Sequence, residues 1–66
     1  MPFIQITIAE GRDPEKKERL ISEVTETVST VLEAPIETIR VLITEVPTTH
    51  WGIAGKSISK RKEESV

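Results

Sequence analysis

The sequence has 66 residues, no cysteine and one histidine, and its nine basic and eleven acidic side chains give a formal charge of −2 at pH 7. This composition excludes disulfides, thiolate metal sites and multi-histidine sites within one chain. It argues against a nucleic-acid binder, which normally carries a basic stripe, and no apolar run is long enough to cross a membrane. We expect one cytoplasmic domain over 1–66. Because so short a chain buries only about 60% of its unfolded surface, we also expect it to form homo-oligomers.

The first predicted element is a strand near the amino terminus. In Phe3-Ile4-Gln5-Ile6-Thr7-Ile8, isoleucines occupy every second position, which is typical of a strand with one apolar face. Glu10-Gly11-Arg12 breaks this pattern and predicts a turn.

Pro2 stands directly before this strand, and a small residue at that position favours removal of Met1. Its ring nitrogen then becomes a free secondary amine, and the reference pKa of an α-amino group is about 7.7–8.0. Desolvation or a nearby positive charge keeps such an amine neutral at pH 7, so Pro2 is a candidate general base.

A helix is predicted next. Asp13 is its N-cap and Pro14 its first residue, and Ala34-Pro35 ends it because a residue before proline disfavours helical geometry. Its apolar residues recur at helical spacing and form one stripe: Leu20, Ile21, Val24, Val28, Val31 and Leu32.

A second strand is predicted over 39–44, where Ile39, Val41 and Ile43 alternate with other side chains. Strand, helix and strand make a βαβ unit with parallel strands, in the α+β class. Its single helix covers one sheet face, whereas parallel sheets are normally covered on both, so we expect oligomerisation to complete the sheet. Arg40 lies inside this strand and reaches either solvent or a carboxylate at a subunit interface.

The remaining sequence predicts a short C-terminal hairpin within 48–55, where Gly52 and Gly55 suit tight turns. Trp51 lies in this segment and is expected to cover a neighbouring subunit or to form a pocket wall. The charged residues from about 61–66 predict a solvated tail.

Pro2, the Glu10-Gly11-Arg12 turn, Arg40 and the run from His50 to Gly55 together resemble the 4-oxalocrotonate tautomerase family. The resemblance covers about residues 2–60. It implies a homo-oligomer, commonly a hexamer built as a trimer of dimers, with sites at subunit interfaces. It also implies cofactor-free tautomerisation of a small carboxylate or dicarboxylate dienol, such as 2-hydroxymuconate.

The same resemblance implies roles for individual residues. Pro2 is the proton shuttle, Arg40 binds the carboxylate and oxygen beside the reacting centre, and Arg12 binds the far carboxylate. The remaining substrate-binding positions form an apolar wall: Trp51, Ile53 and Ala9. Ala9 stands where the family often has a larger aliphatic residue, and Ala54 where glycine is common.

Three alternatives remain open at this point. Phenylpyruvate tautomerisation and dehalogenation of a haloacrylate also use an amino-terminal proline, although dehalogenation needs an acidic residue to activate water. The third alternative is a non-catalytic oligomeric module, which retention of Met1 favours because the Pro2 nitrogen is then a non-basic amide.

Overall fold

The computed structural model describes residues 1–64 of the chain. In chain order, the elements are β1 (Phe3–Ala9), α1 (Pro14–Leu32), a 3-10 turn (Ile36–Thr38), β2 (Arg40–Val46), a second 3-10 turn (Thr48–His50), β3 (Gly52–Ile53), β4 (Lys56–Ser57) and α2 (Ile58–Glu64). Strands β1 and β2 pair in parallel, and β3 and β4 pair antiparallel. The predicted α+β class, with a βαβ unit followed by a short hairpin, is confirmed.

Helix α1 begins as the sequence predicts. The side chain of Asp13 accepts a hydrogen bond from the Lys16 main-chain N–H at 2.9 Å, and Pro14 occupies the first helical position. The first N–H groups of a helix have no partner within the helix. The Asp13 side chain pairs with one of them, and proline at the first position has no N–H that needs a partner.

The end of α1 differs from the prediction. The helix stops at Leu32, before Ala34-Pro35, because Glu33 adopts a left-handed conformation with φ of 55°. The N–H of Ala34 then donates to the Ser29 carbonyl at 3.2 Å, and the Ser29 hydroxyl donates to the Ala34 carbonyl at 2.7 Å. These bonds satisfy groups that the helix end would otherwise leave unpaired.

The parallel register runs from the Phe3–Arg40 pair to the Ala9–Val46 pair. Residues paired in this way share a face of the sheet, and the face toward α1 is partly buried and apolar, with Ile4, Ile6, Ile8, Val41 and Ile43. On the opposite face Phe3 and Leu42 remain 61% and 47% exposed. Strand β2 begins at Arg40, one residue later than predicted. Ile39 precedes it and is the one hydrophobic residue buried within the described chain, at 8% exposure.

The protomer is elongated. Its extents are 46 × 24 × 15 Å and its radius of gyration is 15.4 Å, whereas a compact domain of this length is expected to have about 11 Å. The main contacts of the C-terminal unit, residues 48–64, are internal: α2 packs on β4 and on the second 3-10 turn. One chain therefore leaves much of its apolar surface uncovered.

Helix α2 corrects the predicted tail. Residues 61–64 of the predicted tail belong to the helix that starts at Ile58, and the Ser57 hydroxyl accepts from the Lys60 N–H at 3.1 Å, as an N-cap does. Lys60, Arg61 and Lys62 are exposed, so this segment is solvated but helical. Residues 65–66 of the predicted tail lie outside the described residues. In residues 1–64, the structure has no helix with the length and apolar character that a membrane span requires.

Candidate active site

Pro2 and Arg40 meet at one end of the parallel sheet. The Arg40 main-chain N–H donates to the Pro2 carbonyl at 3.1 Å, one residue before the Phe3–Arg40 pair. Pro2 is partly buried, whereas Met1 is almost fully exposed. Strand pairing thus fixes Pro2 beside the start of β2.

The side chain of Arg40 is anchored by the turn that precedes it. Its Nη1 donates to the Glu37 carbonyl at 3.1 Å, and Thr38 stabilises the turn by donating its N–H at 3.0 Å and its hydroxyl at 2.7 Å to the Pro35 carbonyl. Arg40 is the first residue of β2 and is exposed in the protomer. Its guanidinium is therefore open to solvent or to a second chain.

Arg12 lies at the opposite end of the sheet, in the loop after β1. Its Nη1 donates to the Ala9 carbonyl at 3.2 Å, and the Glu10 N–H extends the parallel pairing by donating to the Val46 carbonyl at 3.0 Å. Gly11, with φ of 122°, provides the chain reversal that most side chains would resist. The Arg12 side chain is exposed.

One protomer does not bring Arg12 to Pro2. Strand β1 has seven residues, and at about 3.3 Å per residue its two ends are about 20 Å apart. Pro2 and Arg40 lie at one end, while Ala9 and Arg12 lie at the other. A site that contains both arginines requires residues from at least two chains.

Trp51 and Ile53 lie together in the C-terminal unit. Trp51 is partly buried and its carbonyl accepts from the Ile58 N–H at 2.8 Å, whereas Ile53 is 45% exposed on β3. The hairpin turn follows at Ala54-Gly55, where φ is 53° and 86°. Two consecutive positive values fit a type I′ turn.

Sequence reasoning missed the groups that anchor the two arginines. The Ala9 and Glu37 carbonyls belong to the main chain, so no side-chain pattern marks them. It also missed the salt bridge between Lys17 Nζ and Glu45 Oε1, at 2.9 Å. One signal existed for that pair. Glu45 continues the alternation of Val41 and Ile43, so it faces the helix, and an acidic residue in such a position is expected to pair with a basic one.

No metal site is evident in the part of the chain that the structure describes. Within residues 1–64, no three or more His, Asp or Glu side chains cluster in a way that would hold a metal ion. The two site residues with charged side chains, Arg40 at one end of the sheet and Arg12 at the other, carry guanidinium groups, which bind anions.

Comparison with known proteins decides the family. The profile of the family described as "Tautomerase enzyme" matches residues 2–61. A 2-hydroxymuconate tautomerase of Pseudomonas putida is 55% identical over 60 residues, which cover 91% of this chain and 95% of that protein. The chain belongs to the 4-oxalocrotonate tautomerase family. It is therefore a tautomerase, which is an isomerase.

Solved structures of this family share the fold. TomN, a 4-oxalocrotonate tautomerase homologue in the tomaymycin biosynthetic pathway, is 31% identical with a TM-score of 0.96, covering 98% of this chain and 100% of its own. A heterohexameric 4-oxalocrotonate tautomerase from Chloroflexus aurantiacus is 33% identical with a TM-score of 0.88, covering 91% and 97%. The tautomerase described here thus has the family fold over nearly its whole length.

Proposed function

We propose that this tautomerase interconverts 2-hydroxy-dienoates, such as 2-hydroxymuconate, and their 2-oxo isomers, with Pro2 as the proton shuttle. The observation that carries the proposal is the 3.1 Å bond from the Arg40 N–H to the Pro2 carbonyl, which keeps a cation-bearing residue beside the amino terminus. The 55% identity to a 2-hydroxymuconate tautomerase supports this choice of substrate.

The proton transfer requires a basic nitrogen at Pro2. Once Met1 is removed, the secondary amine takes the proton from the 2-hydroxyl oxygen of the dienol and returns it to a carbon of the same substrate. No electrons leave the substrate, and the amine is regenerated in each cycle. Between the two transfers the substrate carries dienolate charge, which a positioned cation stabilises.

The two arginines bind opposite ends of the substrate. Arg40 binds the carboxylate and the oxygen next to the reacting centre, and Arg12 of a neighbouring subunit binds the far carboxylate. The separation of the sheet ends supports this division, because the span of β1 far exceeds the length of a six-carbon dicarboxylate. Planar guanidinium groups suit carboxylates, which they bind through paired hydrogen bonds.

Three further residues form the apolar wall of this site: Trp51, Ile53 and Ala9. Trp51 contributes a large rigid surface, and the exposure of Ile53 in the protomer leaves it available to a neighbouring subunit. An apolar wall excludes water from the dienolate and strengthens its attraction to the arginines.

Homo-oligomerisation completes the site, and the expected form is a hexamer built as a trimer of dimers. The exposed Phe3 and Leu42 face of the sheet and the elongated protomer support assembly. We expect light scattering to find no folded monomer at micromolar concentration, and Leu42→Glu to weaken the assembly by placing a charge in the interface. A folded, active wild-type monomer would contradict this part of the proposal.

We also expect the enzyme in the cytoplasm, which cell fractionation would check.

A substrate panel tests the reaction itself. The processed enzyme is assayed by ultraviolet absorbance with 2-hydroxymuconate, with a dienol that carries only one carboxylate, and with the enol of phenylpyruvate. We expect the highest kcat/KM with 2-hydroxymuconate, because only that substrate uses both arginines. Equal or higher kcat/KM with phenylpyruvate enol would overturn the proposed substrate class.

A further inference from the structure

The salt bridge between Lys17 and Glu45 closes a ring of contacts around the Arg12 loop. We infer that these two residues are positioning residues that hold the Arg12 guanidinium in place for the far carboxylate of the substrate. The inference rests on the proposed function, in which Arg12 binds the far carboxylate of the substrate.

The ring begins on the sheet side of the loop. The Glu10 N–H donates to the Val46 carbonyl at 3.0 Å, which ties the first loop residue to the last residue of β2. Glu45 is the neighbour of Val46 and pairs with Ile8 on the face of the sheet that α1 covers. Its carboxylate thus points toward the helix, where Lys17 Nζ contacts it at 2.9 Å.

The ring returns through the first turn of α1. The Lys17 N–H donates to the Asp13 carbonyl at 3.4 Å, and the Asp13 side chain accepts from the Lys16 N–H at 2.9 Å. Asp13 directly follows Arg12, so one end of the loop is bonded to Lys17 and the other to Val46, the chain neighbour of Glu45. The Lys17–Glu45 salt bridge joins these two attachment points. Only residues 11–12 lie between these anchored ends.

The composition of the loop explains why the ring matters for Arg12. Gly11 adopts φ of 122°, and glycine gives the chain more conformational freedom than any other residue. The Arg12 guanidinium donates to the nearby Ala9 carbonyl, an acceptor that lies only three residues away along the same chain segment. Fixing both ends of the loop therefore reduces the number of positions that the guanidinium can occupy before substrate binds.

A second salt bridge on the same helix is a natural control. Arg19 Nε and Glu23 Oε2 are 3.0 Å apart, but their side chains are 78% and 61% exposed, compared with 27% and 34% for Lys17 and Glu45. The exposed pair joins two residues of α1 and is screened by water, so it is expected to contribute little. The Lys17–Glu45 pair joins α1 to β2.

The test compares the two pairs by enzyme kinetics, with 2-hydroxymuconate as the dicarboxylate substrate. Lys17→Met and Glu45→Gln are expected to raise the KM for this dicarboxylate by about threefold to tenfold, as loss of a partly buried ion pair allows. The kcat, and the KM for a dienol with one carboxylate, should stay within about twofold, because Pro2 and Arg40 lie at the other sheet end. Arg19→Met and Glu23→Gln should change none of these constants.

Two further variants separate positioning from general structural damage. Lys17→Arg keeps the ion pair and should keep the wild-type KM, and exchanging the charges as Lys17→Glu with Glu45→Lys should recover most of it. In an Arg12→Ala background, Lys17→Met should cause no further rise in KM, since coupled residues do not act additively. Glu45→Gln retains the shape of the side chain and keeps the test available if Lys17→Met fails to assemble.

The outcomes distinguish this inference from the proposed function. If Arg12→Ala raises the dicarboxylate KM but Lys17→Met and Glu45→Gln do not, the positioning role is overturned and the proposed role of Arg12 stands. Equal losses with both substrates, or a further rise in the Arg12→Ala background, also overturn positioning. If Arg12→Ala itself leaves the dicarboxylate KM unchanged, both the inference and the proposed role of Arg12 fail.

Discussion

The two ends of the parallel sheet anchor their arginines by the same local bond but support them differently. Arg40 donates to a carbonyl three residues earlier at 3.1 Å, and Arg12 does so at 3.2 Å. However, Arg40 belongs to β2 and its main chain is paired with β1, whereas Arg12 lies in a loop. The strand register holds the main chain of Arg40, whereas the Arg12 loop is held at its two ends by the Glu10–Val46 main-chain bond and by the Asp13 helix cap.

If Pro2 is the base and Arg12 binds the far carboxylate, as we propose, this difference would let one small fold separate chemistry from substrate choice. The Pro2 end is held by main-chain hydrogen bonds, which most substitutions leave intact. The Arg12 end depends on the identity of a few side chains, so sequence changes can alter it without disturbing the sheet. We therefore expect mutations at the first end to affect mainly kcat, and mutations at the second end to affect mainly KM.

The largest effect within this comparison is expected from Arg40→Ala. Removing the cation beside the reacting centre should lower kcat by about 10²-fold, as loss of an oxyanion-stabilising donor does. Steady-state assays with 2-hydroxymuconate measure it, and Arg19→Ala, which removes an exposed arginine of α1, is the control. A raised KM with unchanged kcat would assign Arg40 to binding alone and remove the distinction between the two ends.

A smaller and more selective effect is expected from Arg12→Ala. Loss of a charge-assisted contact with the far carboxylate should raise the KM for the dicarboxylate substrate by about tenfold or more. The KM for a dienol with one carboxylate should change much less. Measuring both constants on the same preparation provides the check, and equal changes for the two substrates would indicate a structural role instead.

The smallest effect concerns the hairpin, which belongs to neither end of the sheet. Ala54 has φ of 53°, a value that costs alanine about 1–2 kcal/mol, and Asn-Gly is a preferred sequence for a type I′ turn. Ala54→Asn should therefore raise the free energy of unfolding by about 0.5–1 kcal/mol. Ala54→Val should lower it, because β-branched residues resist positive φ.

Thermal unfolding at one fixed protein concentration measures both hairpin variants, since the stability of an oligomer depends on concentration. Kinetic constants should barely change for Ala54→Asn. If they change as much as in Arg12→Ala, stability rather than the two sheet ends would explain the kinetic effects above. Opposite shifts in stability for the two substitutions are required by the turn geometry.

Much of the fold could be predicted from the sequence because its signals are local. Alternating isoleucines predicted β1, and Asp13-Pro14 predicted the start of α1. Ala34-Pro35 predicted the end of α1 to within about two residues, but not its last residue, because nothing in the sequence marks Glu33 as the residue that turns left-handed. Helix α2 was missed for a similar reason: its charged residues also suit a free tail, and the Ser57 cap becomes evident only once the hairpin places it before Ile58.

The candidate site was less predictable than the fold. The resemblance supplied Pro2, Arg12 and Arg40 as residues, but their distribution over two ends of the sheet follows from the strand register. The Lys17–Glu45 contact joins residues far apart in sequence, so the strand alternation could mark Glu45 as helix-facing but could not identify Lys17 as its partner. Acceptors that belong to the main chain leave no sequence signal at all.

The central claim is that the free amine of Pro2 is the base, and two synthetic forms of the chain test it most directly. One form starts at Pro2 and the other retains Met1; both are refolded, checked by mass and assayed with 2-hydroxymuconate at equal concentrations of assembled protein. We expect the form with Met1 to lose about 10²–10⁴-fold in kcat/KM, because an amide nitrogen cannot accept the proton. Comparable kcat/KM values for the two forms would contradict the claim that Pro2 is the base.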